Sequence, residues 1–205
     1  MNIKAIKRLA KKEGVGYHQE GKNPKIIIIG EEHTERYLPF QEKIIELIKP
    51  KIILHESAKR ELLKANFPRN PNIKTYVKRI LSWREKYKII VNSPDINKLK
   101  QKVLSERISI LLKEFRISYK KKTTTETKTK QLISYLIREQ IMVKNIKKHL
   151  KEKGSPILVI VGSAHINPYR VLSKALINEE KIDFISLNQS KGTQEHLESF
   201  SNYFQ

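Results

Sequence analysis

The 205-residue sequence contains no cysteine. Disulfides, thiolate nucleophiles, CxxC redox chemistry and cysteine-ligated zinc are therefore excluded, and any metal ion must be held by histidine, carboxylate or water ligands. The sequence also lacks a run of about 18 uncharged apolar residues, and its N-terminus lacks the apolar stretch and cleavage site of a signal peptide. These absences predict a cytoplasmic globular protein without a transmembrane segment.

Several catalytic motifs are missing as well. The sequence contains no G-x-G-x-x-G, Walker A, H-E-x-x-H or G-x-S-x-G pattern. These patterns are typical of dinucleotide-binding proteins, P-loop nucleotide hydrolases, zinc proteases and serine hydrolases, respectively. We therefore expect no nucleotide cofactor and none of these four chemistries.

Acidic residues are few relative to basic ones. The chain has 21 Asp and Glu against 42 Lys and Arg, a formal net charge of +21, which predicts attraction to anions such as nucleic acid, a membrane surface or an acidic substrate. Residues 98–153 alone hold 17 basic residues and 5 acids, a net charge of +12. A solvated, lysine-rich helical face and a binding site for nucleic acid or another polyanion both account for this segment.

Apolar residues, at 39% of the sequence, are sufficient for one sizeable core. Five short apolar runs have the length of strands buried on both faces, and helical patterns separate them. This alternation predicts a single α/β domain over residues 1–205, with a mainly parallel sheet flanked by helices. The predicted strands are Ile26–Ile29, Ile52–Leu54, Ile89–Val91, Ile157–Val161 and Phe184–Leu187, and the predicted helices between them are Pro39–Ile48, Ala58–Phe67, Tyr76–Tyr87 and Pro168–Ile177.

The middle of the chain interrupts the alternation. Residues 98–153 show two long helical patterns without a strand between them, which predicts an inserted basic helical hairpin. The stretch 119–130, YKKKTTTETKTK, has no apolar residue after its tyrosine and predicts a flexible basic loop. The polar tail 190–205 is predicted to pack weakly. The lysines expected to dominate any binding of nucleic acid or another polyanion are Lys120, Lys121, Lys122, Lys128 and Lys130.

Two of the apolar runs end in the same pattern, G-x-x-H. Ile26–Ile29 is followed by Gly30 and His33, and Ile157–Val161 is followed by Gly162 and His165. Parallel strands deliver their carboxyl ends to one edge of the sheet, where α/β proteins bind ligands. We therefore expect both histidines at one edge, with each glycine allowing the backbone to turn sharply off the strand.

A third run adds an acid to this edge. Ile52–Leu54 is followed by His55 and Glu56. Glu56 should join the two histidines, whereas the alternation of strand side chains leaves His55 able to face a helix instead of the edge.

Two imidazoles and one or two carboxylates can do two kinds of chemistry. His33, His165, Glu56 and Glu31 or Glu32 match a nitrogen and oxygen site for a divalent ion such as Zn, Mn or Co, which would lower the pKa of a bound water. Without a metal, one histidine could act as a general base that the carboxylates orient. The residue pattern leaves both alternatives open.

The sequence resembles the TraB/PrgY family and its relatives, the ChaN-like haem-binding proteins, the erythromycin esterases and the TIKI metalloproteases. The resemblance rests on four blocks in order, namely IIIIGEEH, IKPKIILHE, IREQIMVKNI and ILVIVGSAH. It implies that His33, Glu56, Arg138 and His165 line a cleft, that Glu31 matches the G-E-x-H form, and that Arg138 with Met142 matches an Arg-x-x-x-Met helix. The resemblance also gives Arg138 the task of holding a carboxylate or phosphate of the substrate.

Three functions follow as hypotheses. The leading one is a hydrolase that activates water at the His33 and His165 edge, with metal assistance, and acts on an amide or ester of a small molecule or peptide. The second is a non-enzymatic protein that binds nucleic acid or another polyanion through the helical hairpin. The third is metal or haem binding without catalysis.

Overall fold

A computed structural model describes residues 1–59, 63, 72–95, 98–114, 125–166 and 182–189 of the chain. Within these ranges, five α-helices and six β-strands are present. The helices are α1 (Ile3–Lys12), α2 (Leu38–Ile48), α3 (Ile73–Lys86), α4 (Lys98–Glu114) and α5 (Thr125–Lys153), and the strands are β1 (Gly16–Glu20), β2 (Ile26–Glu31), β3 (Ile52–His55), β4 (Ile90–Asn92), β5 (Ile157–Gly162) and β6 (Phe184–Asn188).

The strands form one sheet in the order β1-β6-β2-β5-β3-β4. Strands β2 to β6 are parallel to one another, and β1 pairs antiparallel with β6 at one edge. All five apolar runs are strands of the parallel part. The predicted α/β class with a mainly parallel sheet is therefore confirmed.

Helices cover both faces of the sheet. In β2, Ile27 and Ile29 belong to a core cluster that includes side chains of α1, α2 and α3. Ile26 and Ile28, on the other face, belong to a second cluster with side chains of α5. Because successive strand residues alternate between two buried faces, the strand is apolar throughout. The second cluster takes Met142, Val143 and Ile146 from α5.

The two long helices of the predicted hairpin are present and contact each other. The C-terminal half of α5 also forms one wall of the second core, so this helix is part of the domain packing and not only an excursion beside the sheet. The predicted loop over 119–130 is wrong in its second half, because α5 begins at Thr125. Helix propagation adds one hydrogen bond per residue, so a packed apolar segment can extend a helix into polar sequence.

Other secondary-structure elements differ from the predicted ones or lie outside the described residues. The sequence pattern missed β1, whose residues GYHQE form a partly exposed edge strand without an apolar run. Helix α3 begins at Ile73, three residues before the predicted start at Tyr76. Most of the predicted helix Ala58–Phe67, the whole of the helix Pro168–Ile177 and the tail 190–205 lie outside the described residues.

The strand order places three strand ends side by side. Strand β5 lies between β2 and β3, and its register pairs Gly162 with Glu31 and Ile160 with His55. The residues that leave these three strands therefore meet at one carboxyl edge. None of the helices in the described ranges combines the length and apolar composition needed to cross a membrane.

Candidate functional site at the carboxyl edge of the sheet

The two G-x-x-H histidines and Glu56 meet at the carboxyl edge. The Nε2 atom of His33 lies 3.5 Å from Glu56 Oε2, and the Nε2 atom of His165 lies 3.9 Å from Glu56 Oε1. Glu56 thus lies between two imidazoles that arrive from different strands. The sequence pattern predicted this grouping from the parallel direction of the strands.

The Nδ1 side of the His33 ring is held by a buried carboxylate. Its Nδ1 contacts Oε1 of Glu31, which is 1% exposed, and its own backbone adopts a left-handed φ of 55°. Burial alone would lower the pKa of His33, but the hydrogen bonds and charges of Glu31 and Glu56 outweigh it and raise the pKa to about 10. His33 is therefore an imidazolium at neutral pH, with an acid on each ring nitrogen.

His165 has the same arrangement on the other face of the sheet. Its Nδ1 lies 2.9 Å from Oε1 of Glu139, a fully buried carboxylate on α5. A carboxylate only accepts hydrogen bonds, so Nδ1 carries the hydrogen and Nε2 is directed toward Glu56. Each imidazole of the site is thus oriented through Nδ1 by its own buried glutamate.

Glu139 was not predicted as a site residue, although the sequence carries a signal for it. The apolar stripe of α5 runs through Leu132, Leu136, Val143 and Ile146, with a spacing of three or four residues that passes through position 139. A carboxylate at a core position of a helix requires a buried partner. His165 is that partner.

Glu56 is fixed by donors on both oxygens. The backbone N–H of Gly162 donates to Oε2 at 2.8 Å, and Nη2 of Arg138 donates to Oε1 at 2.5 Å. Burial would raise the pKa of Glu56, but the hydrogen bond from His33 and the charges of His33, His165 and Arg138 hold it well below its usual range. Glu56 is therefore ionised.

Arg138 lies between two acids. Besides Glu56, its Nη2 and Nε contact Asp95 Oδ2 at 2.7 and 3.1 Å, and the same oxygen accepts from Lys59 Nζ at 2.9 Å and Gln101 Nε2 at 2.7 Å. Burial opposes the charge of Arg138, but Asp95 and Glu56 raise its pKa above the usual value. Its donors toward the edge are thus engaged by protein carboxylates, whereas the resemblance gave Arg138 a substrate anion. Asp95 follows β4, the fourth strand of this edge, and was not singled out from the sequence.

The glycines of the two G-x-x-H motifs have different roles. A Cβ on Gly30 would lie 2.4 Å from Ile166 Cδ1, so Gly30 permits close packing. A Cβ on Gly162 would lie 3.5 Å from both Glu56 Oε2 and His33 Nε2 and 3.8 Å from Cδ2 of His165. A side chain on Gly162 would therefore contact all three site residues, and the glycine leaves this side of the cluster uncovered.

The predicted reason for these glycines is wrong. Gly162 has φ of −56° and ψ of 139°, which any residue adopts, and Gly30 is not among the residues with positive φ. The left-handed residue after β2 is His33 itself. The glycines are needed for space and not for a turn of the backbone.

A second hydrogen-bond chain supports Glu31 from the α3 side. The backbone N–H of Ser57 donates to His55 Nδ1 at 3.1 Å, so the ring hydrogen of His55 is on Nε2, which lies 3.2 Å from the Tyr76 hydroxyl. Tyr76 in turn donates to Glu31 Oε1 at 2.5 Å. Burial lowers the pKa of His55 to about 4 and keeps the ring neutral. As expected, His55 faces a helix, with its ring 6.0 Å from that of Trp83.

A small cleft opens beside His33. It has a volume of about 130 Å³ and is lined by His33, Thr34, Glu35, Asn72 and Tyr76. The His33 side chain is 30% exposed, against 12% for Glu56 and 4% for His165. Among the three central residues, His33 is thus the one that a ligand reaches first.

These residues fit a metal ion only in part. In favour of an ion, Oε2 of Glu31 is buried without a hydrogen-bond partner, and each histidine has a carboxylate on Nδ1, as histidines that bind a metal through Nε2 usually do. Against it, Glu56 is engaged by Arg138 and Gly162. Among the described residues, no three or more His, Asp and Glu side chains are arranged to hold one ion. The Zn, Mn or Co site remains a prediction from the sequence.

The lysines predicted to bind nucleic acid are only partly within the described residues. Lys120, Lys121 and Lys122 lie outside the described residues. Lys128 and Lys130 belong to the first turns of α5, so they are on a helix and not on a loop.

Comparison with known proteins identifies no relative of this chain. No protein-family model matches the chain, and neither a curated protein nor a solved structure is significantly similar to it. The resemblance to the TraB/PrgY family therefore stays a prediction from the four sequence blocks.

Proposed function

We propose that the protein is a hydrolase that cleaves an amide or ester bond by acid–base catalysis at the carboxyl edge of the sheet. The observation that carries this proposal is the pair of His33 Nε2 and Glu56 Oε2, which lie 3.5 Å apart beside Gly162, a residue without a side chain to cover them. A water or a substrate oxygen hydrogen-bonded to both atoms would be within reach of a proton donor and a proton acceptor at once.

The roles of the two residues follow from their ionisation. Glu56 Oε2 accepts a proton from the attacking water, and the imidazolium of His33 donates its Nε2 proton to the leaving group. The proton on Glu56 then passes to His33 Nε2, 3.5 Å away, which restores the starting state. In each cycle Glu56 takes one proton from water and His33 gives one proton to the leaving group, so the transfer from Glu56 to His33 balances the two steps.

The surrounding residues hold this pair in place. Glu31 and Glu139 orient the two imidazoles, and Arg138 with the Gly162 N–H orients Glu56. Rigid mounting on strand ends and packed helices supports a site that needs placement within about half an ångström. The buried strands β2 and β5 provide that mounting for His33 and His165.

The metal-assisted hydrolase implied by the sequence pattern is the alternative form of the same proposal. It requires His33 to give up a proton with a pKa of about 10 and Glu56 to exchange its present donors for an ion. When bound, an ion would supply a water of lowered pKa. The acid–base form needs neither change and is the one that we adopt.

The test is hydrolysis of a panel of activated aryl esters and anilides by the parent protein in the presence of a chelator. We expect turnover of at least one member, and a loss of about 100-fold or more in kcat for His33→Gln and for Glu56→Gln. His18→Gln is the matched control, because His18 lies on β1 with a side chain that is 60% exposed.

Two results would contradict the proposal. Turnover that vanishes in the chelator and returns with Zn, Mn or Co would favour the metal-assisted form. Turnover that survives both the His33 and the Glu56 substitution would place the reaction elsewhere on the molecule.

A further inference from the structure

The cleft beside His33 contains an acid that the described part of the chain leaves without a partner. Glu35 lines this cleft, and its carboxylate has no hydrogen bond or ion pair to any described residue. By contrast, Glu31 and Glu56, the acids on the two nitrogens of His33, are both engaged. The sequence has 42 basic residues for 21 acids, so a lysine or arginine could readily have paired Glu35. The carboxylate is therefore available to a ligand.

A second polar side chain of the cleft is also uncommitted. Asn72 is the N-cap of α3, a position at which asparagine usually accepts a hydrogen bond from the first turn of its own helix. Its side chain makes no such bond, and none to the rest of the described residues. The amide oxygen of Asn72 is thus an acceptor on the same cleft as the Glu35 carboxylate.

Thr34 adds a hydroxyl to the same lining. Its Oγ1 is buried and has no hydrogen-bond partner within the described ranges. Most buried polar atoms of side chains are hydrogen-bonded, so an unpartnered one beside a cleft fits a position that bonds to a ligand. A carboxylate, an amide oxygen and a hydroxyl, all of which accept hydrogen bonds, therefore belong to one small cleft.

The cleft is too small for a whole substrate. Its volume of about 130 Å³ is below the range of about 300–1,000 Å³ that is typical of sites for small molecules. The cleft therefore suits one end of a substrate whose remainder lies outside it. Because His33 is part of the lining, this end group lies within a few atoms of the bond that His33 and Glu56 act on.

The charges around the cleft favour a cation over an anion. An anion would suit the imidazolium of His33 and the N-terminus of α3, which acts as roughly half a positive charge. The charge of His33, however, is matched by carboxylates on both of its ring nitrogens. The carboxylate of Glu35 carries a full charge, so it outweighs the helix terminus.

We propose that the cleft binds the free amino end of the substrate, so that the bond cleaved is an amide or ester close to a primary ammonium group, as at the N-terminus of a peptide. An ammonium has three N–H donors and no acceptor, which matches the oxygens of Glu35, Asn72 and Thr34. This inference rests on the proposed hydrolase for the position of the reacting pair, whereas the binding of the amino group is measured without turnover.

The experiment measures binding of trialanine amide to the full chain by NMR, with the peptide in three forms: a free amino end, an N-acetyl cap and an anionic N-succinyl cap. The test variant is Glu35→Gln, which keeps the size of the side chain and removes its charge. The matched control is Glu85→Gln, which removes the same charge from an exposed position about 20 Å along α3 from Asn72. Thermal unfolding of both variants checks that the fold is retained.

We expect the free amine to bind the parent at least about fivefold more tightly than the acetylated peptide, and the succinylated peptide to bind most weakly. This factor corresponds to about 1 kcal/mol, the upper end for an exposed ion pair. In Glu35→Gln the preference for the free amine should fall below about twofold, whereas Glu85→Gln should keep the preference of the parent.

Three outcomes would overturn the proposal: no binding of the free amine by the parent, equal or tighter binding of a capped peptide, or a preference for the free amine that survives Glu35→Gln. The hydrolysis assay is a separate test. A parent that hydrolyses the ester and anilide panel without preferring the free amine would contradict only this inference, and one that prefers the free amine but hydrolyses nothing would contradict only the proposed hydrolase.

Discussion

At the scale of single residues, the contrast between Gly162 and Gly30 gives the sharpest prediction. Gly162→Ala places a methyl group at ordinary contact distance in the space among Glu56, His33 and His165. The backbone there suits alanine, so the free energy of unfolding should stay the same or rise by up to about 1 kcal/mol. Turnover should fall by about 100-fold or more, because the methyl covers the side of the His33–Glu56 pair that the glycine leaves open. Urea unfolding and the hydrolysis assay measure the two effects.

Gly30→Ala is the matched control. Its Cβ would lie 2.4 Å from Ile166 Cδ1, so the side chain of Ile166 must move and the free energy of unfolding should fall by about 1–3 kcal/mol. Gly162→Ala should therefore affect mainly turnover, and Gly30→Ala mainly the free energy of unfolding. Gly162→Ala with turnover equal to that of the parent would show that the reaction does not use this space.

His33 makes stability depend on pH. Because its folded-state pKa is raised to about 10, its contribution is fully present below the unfolded value of about 6.5 and is lost as the pH rises toward 10. The difference in free energy of unfolding between the parent and His33→Gln should therefore shrink over this interval, by roughly 1 kcal/mol per pH unit. Urea titrations near both ends of the interval measure it.

Glu31→Gln tests the cause of that shift. It removes the buried carboxylate on Nδ1, so the pH at which the imidazole titrates should move down. The pKa of His33, followed by NMR of its ring in the parent and in this variant, reports the change. A titration near pH 6.5 in the parent would contradict the ion-pair account.

Some of the site residues could be predicted from the sequence and others could not. His33, Glu56 and His165 were found because each follows an apolar strand, and parallel strands share an edge. Glu139 was recoverable as a charge within an apolar stripe. Asp95 and Tyr76 carry no local signal, since an acid in a loop and a tyrosine on a helix are ordinary, and only their contacts with Arg138 and Glu31 identify them.

At the scale of elements, the basic segment yields a prediction that is independent of the site. Replacing the five lysines named from the sequence by glutamine should weaken any binding of single-stranded RNA. The log–log slope of affinity against salt should fall by roughly one unit per lost phosphate contact. Filter binding over a salt series measures both quantities. The replaced residues are Lys120, Lys121, Lys122, Lys128 and Lys130.

An equal removal of charge from α1 is the control. Glutamine at Lys4, Lys7, Arg8, Lys11 and Lys12 lowers the net charge by the same five units. If both sets reduce affinity and salt slope equally, binding depends on total charge and the segment is not a dedicated site.

Helix α5 shows why element boundaries were less predictable than element types. Its apolar stripe predicted a helix, and that helix is present. Its start at Thr125 depends on propagation from the packed segment, and its role as a wall of the second core depends on where the sheet lies. Neither property is local to the residues concerned.

At the scale of the whole molecule, metal binding would appear as added stability. An ion at 100 times its Kd contributes about 2.7 kcal/mol, which raises Tm by about 5–10 °C for a chain of this size. The acid–base proposal expects no such shift with Zn, Mn or Co. A scan of the parent and of His33→Ala with each ion measures it, and a shift in the parent that the variant loses would support the metal-assisted form.

Sequence patterns were enough to predict the five parallel strands and the edge at which the histidines emerge, because periodicity and burial on two faces are local properties of the chain. The antiparallel edge strand β1, which has no apolar run, was missed. The folded structure is needed to show which strands are neighbours, and hence that Gly162 lies beside both Glu56 and His33. It also shows that Arg138 is engaged by acids and that His33 is charged. The physical reason is that hydrogen bonds, ion pairs and pKa shifts depend on distances of a few ångström between residues that are far apart in sequence.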